Sequence, residues 1–344
     1  MAYELHKHLS KRAKVELVKW GGSSRSLPVV FFIFFFKSIW LLLTRKIDVI
    51  YLGDGVMAPL GFLFNLLGKR VAITIHALDI VYPNRMYQWI IPRCVARLDR
   101  IICISDYTKD ECVKRGIDRN KIIVIPNGVA DELYLKDKNV LEIKEKLEKS
   151  MNISFGNKKV IISVGRLVKR KGFHWFVESV IPELLKKRRD FIYILAGEGV
   201  LKEKIIEIAQ EKSVSEYICV LGKVDDETLK LLYNAGDIFV MPNVPVEGDT
   251  EGFGIVALEA CTCCLPVVAS DIEGIKDALK GCKNAFLLQP MDEMAYVETI
   301  NSLLNRDGKS DDCAEDARKF IIEKYNWRAV SDEYLRELEL IAKK

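Results

Sequence analysis

Short apolar runs alternate with longer mixed segments along this chain. IDVIYLG (47–53) and RVAITIH (70–76) in the first half, and KVIIS (159–163) and DIFVMP (237–242) in the second, are near-continuous apolar runs of strand length. Runs without polar alternation suit strands covered on both faces, as in parallel sheets. Between them lie segments of helical length: AYELHKHLSKR from Ala2, the stretch from about Val56 to Leu67, and VLEIKEKLEK (140–149). Strands alternating with helices predict an α/β fold built on parallel sheets. A chain of 344 residues is long enough for two such domains. The pattern divides into a first domain over 1–133, a charged linker over 134–155, a second domain over 156–318 and C-terminal helices over 319–344.

One segment breaks the rhythm. LPVVFFIFFFKSIWLLLTRK (27–46) has 17 residues from Leu27 to Leu43, with Lys37 inside. A spanning helix needs about 20 apolar residues, and a central Lys costs about 2.5–3.5 kcal/mol on the insertion scale. The segment is therefore predicted as a helix packed on a sheet. Phe31, Phe32, Phe34, Phe35, Phe36 and Trp40 put apolar groups around more than one of its faces. The outward ones must meet another helix or dip into a bilayer.

Charge sharpens this picture. Residues 1–130 hold 20 Lys+Arg against 10 Asp+Glu, whereas the remainder is net negative and the whole chain is +4. A basic first half predicts an anionic acceptor or peripheral contact with an anionic membrane. No basic stripe interleaved with aromatics is present, so nucleic acid is not an expected partner. The nine Cys form no zinc pattern: CTCC (261–264) lacks a second ligand pair and a His. They read as reduced thiols of a cytoplasmic protein, and the charged helical start does not read as a secretory signal.

Three places carry candidate chemistry. EGFGIVALE (251–259) follows the run DIFVMP and sets Glu251 and Glu259 on either side of a glycine turn and a short apolar helix. Strand, glycine turn and helix aim backbone N–H groups at a phosphate. Gly252 and Gly254 permit close backbone approach, Glu251 suits sugar hydroxyls, and Glu259 suits the two hydroxyls of a ribose. VGRLVKRKG (164–172) follows KVIIS, placing Arg166 and Lys171 at the carboxyl end of a strand, where they suit a diphosphate leaving group. Lys169 and Arg170 between them read as solvated. His76 ends the run RVAITIH, with Asp79 shortly after as a weaker candidate for acceptor contact. Taken singly, each fits a surface turn, a basic loop or a capped strand end equally well.

Together these segments resemble the family-four retaining glycosyltransferases of the GT-B fold, the glycosyl transferases group 1. The resemblance extends through ISDYTKDECVKRGIDRNKIIVIPNGV (104–129), ILAGEG (194–199), LGKVDDETLKLLYNAGDIFVMPN (221–243) and YNWRAVSDEY (325–334), in the family's order. It implies two Rossmann-like domains facing across a cleft, with the last helices returning to the first. It further implies transfer of a hexose from a UDP- or GDP-sugar to a hydroxyl of a lipid-linked or cell-surface glycan precursor, with retention and with no cofactor or metal. The implied catalytic residues are His76, Arg166, Lys171 and Glu251. Gly165, Arg166, Lys171, Gly197, Glu251, Gly252, Phe253, Gly254, Ile255 and Glu259 are implied at the donor. The implied location is the cytoplasm or the inner face of the cell membrane.

The chain departs from the family pattern in several places. The resemblance leads one to expect that a first strand and its Gly-Gly loop are absent ahead of the helix at Ala2, and KVELVKW (14–20), ahead of Gly21 and Gly22, resembles the family's second strand. Such an absence favours an alternative reading, a catalytically silent relative that binds nucleotide-sugar or serves as a partner subunit, and the intact donor motifs oppose it. A nicotinamide oxidoreductase is disfavoured because no GxGxxG opens a helix after a strand. Cys264 stands where the family has Gly before Leu-Pro, Glu273 opens its Gly-Gly-Ile-Pro turn, and Asn284-Ala285 replaces Asn-Gly.

Overall fold

The computed structural model describes residues 2–19, 27–135, 139–151, 153–154, 156–306 and 312–343. The chain forms two compact units, one of Met1–Gly128, Gly248–Phe253 and Trp327–Lys344, the other of Val129–Glu247 and Gly254–Asn326.

The first unit is built on four parallel strands in the order β1 (Ile50–Leu52), β2 (Val71–Ile75), β3 (Arg100–Cys103) and β4 (Ile122–Val124). Its helices are α1 (Ala2–Leu9), α2 (Leu27–Thr44), α3 (Ala58–Leu66), α4 (Ala77–Val81), α5 (Arg85–Val95), α6 (Asp106–Lys114) and the C-terminal α16 (Trp327–Ala342). All five residues of β2 are buried, because helices cover both faces of the sheet. Alternation along β3 sorts the two faces. Ile101 and Cys103 join Phe64 of α3 and Ile91 of α5, whereas Ile102 joins Leu5 and Leu9 of α1 and Trp327 and Tyr334 of α16.

Among the described residues, β1 pairs with β2 on one side only. The strand expected over 14–20 does not form. Residues 14–19 have no regular structure, and Val15 and Leu17 are exposed, so their apolar groups gain nothing from a ladder. Trp20, Gly21 and Gly22 lie outside the described residues.

The second unit has six parallel strands in the order β10 (Ala285–Leu288), β9 (Val267–Ser270), β8 (Ile238–Met241), β5 (Lys159–Val164), β6 (Phe191–Ala196) and β7 (Ile218–Gly222). Its helices are α7 (Val140–Met151), α8 (Phe173–Trp175), which runs through a π-turn into α9 (Ile181–Lys187), α10 (Lys202–Glu211), α11 (Asp226–Ala235), α12 (Ile255–Thr262), α13 (Glu273–Leu279), α14 (Glu293–Leu304) and α15 (Asp312–Tyr325). The segment read as a linker contains α7, which belongs to this unit and is held by the Lys144–Asp237 ion pair at 3.3 Å. The return to the first unit comes at Trp327.

The strand order positions the site. From β5 the chain runs outward to β6 and β7, then crosses back to β8 on the other side of β5. The order therefore reverses between β5 and β8, and open α/β sheets bind ligands outside the carboxyl ends of the strands at such a reversal.

Candidate active site

The loop after β5 carries Gly165, Arg166 and Lys171, and the loops on either side hold it in place. The Gly165 N–H donates to the Ala196 carbonyl at 3.0 Å, and the Leu167 N–H to that of Glu198 at 2.9 Å. On the β8 side the Val244 N–H donates to the Arg170 carbonyl at 2.9 Å. Gly197 is required by this stitching: at φ 149 a Cβ there would overlap the Gly165 carbonyl oxygen. Arg166 is exposed, whereas Lys171 is buried, its aliphatic stem 3.5 Å from where a Gly165 Cβ would stand. One expectation fails. Lys169 is exposed as read, but Arg170 is buried, in the 3₁₀ turn Lys169–Lys171 that the β8 loop binds through the Arg170 carbonyl.

Across the reversal, β8 leads to α12, whose N-terminus is formed by Gly254 at φ 81. No side chain caps this end, so the N–H groups of the first turn, beginning at Ile255, suit a phosphate. Glu259 lies one turn further along. Its carboxylate accepts from the hydroxyl of Tyr233, a fully buried residue of α11, at 2.8 Å. Burial pushes the Glu259 carboxyl up from its ordinary range, and the Tyr233 bond pulls it part of the way back. Tyr233 was missed in the sequence. Its pairing with Glu259 depends on how α11 and α12 pack on the sheet, which no local motif announces.

The first unit holds His76, together with the segment Gly248–Phe253 that carries Glu251, Gly252 and Phe253. His76 follows β2 and opens α4. The Asp79 carboxylate accepts from the backbone N–H groups of His76 at 2.8 Å and Gly55 at 3.2 Å. Burial and the nearby Asp54 raise the Asp79 carboxyl from 3.8 to about 6, against the pull of His76. Gly252 packs beside the same turn: a Cβ on it would stand 3.2 Å from the Ala77 nitrogen and 3.0 Å from the Ile104 methyl. Within the first unit, then, Gly252 of the EGF segment lies against the first turn of α4, next to His76.

Two departures from the family pattern have a backbone signature. Cys264 and Glu273 adopt φ 64 and φ 50, left-handed conformations that glycine takes without strain. All nine cysteines are free thiols. Among the described residues, no group of three or more His, Cys, Asp or Glu is placed to hold a metal.

Comparison with known proteins supplies the family. The model of glycosyl transferases group 1 matches residues 143–320, and that of glycosyltransferase family 4 matches residues 3–133. An uncharacterized glycosyltransferase of Methanocaldococcus jannaschii is 29% identical over 236 residues, which cover 68% of this chain and 58% of that protein. The Escherichia coli UDP-Gal:alpha-D-GlcNAc-diphosphoundecaprenol alpha-1,3-galactosyltransferase is 26% identical over 272 residues, 76% of this chain and 67% of that one. The Saccharomyces cerevisiae phosphatidylinositol N-acetylglucosaminyltransferase GPI3 subunit is matched over only 45% of its length. Among solved structures, a glycosyltransferase from Rickettsia africae superposes with a TM-score of 0.77 at 18% identity, over 98% of this chain and 88% of that one. Anabaena HepE in complex with UDP-glucose gives 0.76 at 17%, over 97% and 88%. The two parallel-sheet units have the GT-B fold, and the chain belongs to the glycosyl transferases group 1 family.

Proposed function

We propose that this chain transfers a hexose from a UDP- or GDP-sugar to a hydroxyl of a lipid-linked or glycan precursor, with retained anomeric configuration. The observation that carries this is the Arg166–Lys171 loop fixed on both sides at the β5/β8 reversal, opposite the uncapped N-terminus of α12. A diphosphate leaving group needs positive charge and aimed N–H donors where its own charge develops. Lys171 supplies a point charge and Arg166 a planar fork. Glu259 is assigned to the ribose hydroxyls, Glu251 to the hexose hydroxyls and His76 to the sugar's reacting end. The bond from the anomeric carbon to the phosphate oxygen breaks, and a bond to the acceptor oxygen forms on the same face. The acceptor's proton passes to the departing diphosphate. The E. coli relative, named for a lipid diphosphate acceptor, supports the acceptor class.

The test is a transfer assay with UDP- and GDP-hexoses on undecaprenyl-diphosphate-sugar acceptors. Lys171→Ala or Arg166→Ala should cut turnover by about 10²–10³-fold, the size of a lost charge-stabilising donor. With two cations on the diphosphate, turnover should persist in EDTA. Complete loss in EDTA with rescue by Mn²⁺ or Mg²⁺ would contradict the cation assignment.

A further inference from the structure

The helix α2 has two faces of different fate. Phe34, Phe35, Ile39 and Leu42 pack against the core of the first unit, where Phe35 stacks on Phe64 of α3 at 6.2 Å between ring centroids. Phe32, Phe36, Trp40 and Leu43 are exposed, Leu43 by 81%. At about 100° per residue these four positions fall within an arc of roughly 80°, a single stripe. The adjoining α3 adds exposed Leu63 and Leu66. Exposed Lys37 lies in α2, and exposed Arg45 and Lys46 follow its end.

We propose that this stripe is an interfacial docking surface for an anionic lipid bilayer, lying in the headgroup boundary with the helix parallel to the membrane plane. Three observations favour lipid over a protein partner. The stripe is Phe- and Leu-rich with a Trp, the composition of a helix seated at the acyl boundary. Cations border it, and Lys and Arg stems can lie along the apolar surface while their heads reach lipid phosphates, whereas the core of a protein interface is depleted in Lys. Residues 1–130 carry 20 Lys+Arg against 10 Asp+Glu, so the field around the stripe attracts anionic headgroups. The opposite face of α2 is committed to the protein core, which a free spanning helix would not allow. Among the described residues no helix is long and apolar enough to cross a membrane.

Co-sedimentation of the full chain with vesicles tests this independently of turnover. One set is phosphatidylcholine with 30 mol% phosphatidylglycerol (about a third anionic), the other phosphatidylcholine alone. Binding should favour the anionic set and weaken as salt rises. Trp40→Ser with Leu43→Ser should reduce it at least tenfold with an unchanged melting profile, since both side chains are exposed. Val200→Ser, at an exposed apolar position of the second unit, should leave it unchanged. Equal binding by the stripe variant, or no binding by the parent, would overturn the proposal. So would a parent dimer that the stripe variant abolishes, which would give the face to a second copy. Salt-insensitive recovery only in detergent would overturn it in favour of a spanning helix.

Discussion

Glu259, assigned here to the ribose, has its carboxylate tuned by one buried neighbour, Tyr233. Burial pushes its carboxyl up, and the hydrogen bond from the Tyr233 hydroxyl opposes that shift without cancelling it. Tyr233→Phe removes a bond to a charged group, worth about 1.5–3 kcal/mol. The donor KM should rise about tenfold or more with kcat little changed. Because the lost bond had been lowering the Glu259 carboxyl, the acidic limb of the kcat/KM profile should move to higher pH, and steady-state kinetics across pH reads both effects. Asp79 carries the opposite sign of linkage. Its carboxyl ionises near 3.8 when unfolded and at about 6 when folded, so between those values the unfolded chain gives up its proton first. This group's contribution to stability is lost as pH rises from about 4 to 6. Asp79→Asn should flatten that decline in urea-unfolding midpoints measured across the window. Arg166, Lys171, Glu251 and Glu259 stand out as candidates in the sequence because each sits in a local motif; the contacts around them do not. Tyr233 and the buried Arg170 were hidden because packing decides them.

At the scale of elements, four strands were legible because a fully covered parallel strand needs a near-continuous apolar run: IDVIYLG, RVAITIH and DIFVMP contain β1, β2 and β8, and KVIIS covers all of β5 but its last residue. KVELVKW mixes charged and apolar residues instead, and its described residues 14–19 form no strand, since pairing partners are a property of the sheet and not of the segment. The apolar character of α2 was legible, but its phase was not. A segment rich in Phe on all sides does not reveal that Phe35 faces the core and Phe36 the solvent. The turns that bracket α12 and α13 carry the cost of the chain's departures from its family. Cys264 and Glu273 hold left-handed backbone without being glycine, at about 1–2 kcal/mol each. Cys264→Gly should therefore raise unfolding stability by about 1 kcal/mol, partly offset by loss of the Cys264 thiol contact with Glu315 at 3.6 Å. A denaturant midpoint at or below that of the parent would show that the contact outweighs the strain.

For the whole molecule, the proposed function makes the second unit the nucleoside-diphosphate binder: a six-stranded sheet whose order reverses at β5/β8, with the cationic loop stitched on one side and the open helix end on the other. A ligand held there at a hundred times its Kd should stabilise that unit by about 2.7 kcal/mol. Hydrogen-exchange protection should appear around residues 164–172 and 254–259 rather than along β2 and β3. The most direct measurement is calorimetric titration of the full chain with UDP and with GDP, beside Lys171→Ala. The account predicts saturable one-site binding of one of the two nucleotides, weakened at least tenfold, about 1.4 kcal/mol, by the substitution. Binding of neither nucleotide, or equal affinity in Lys171→Ala, would contradict it.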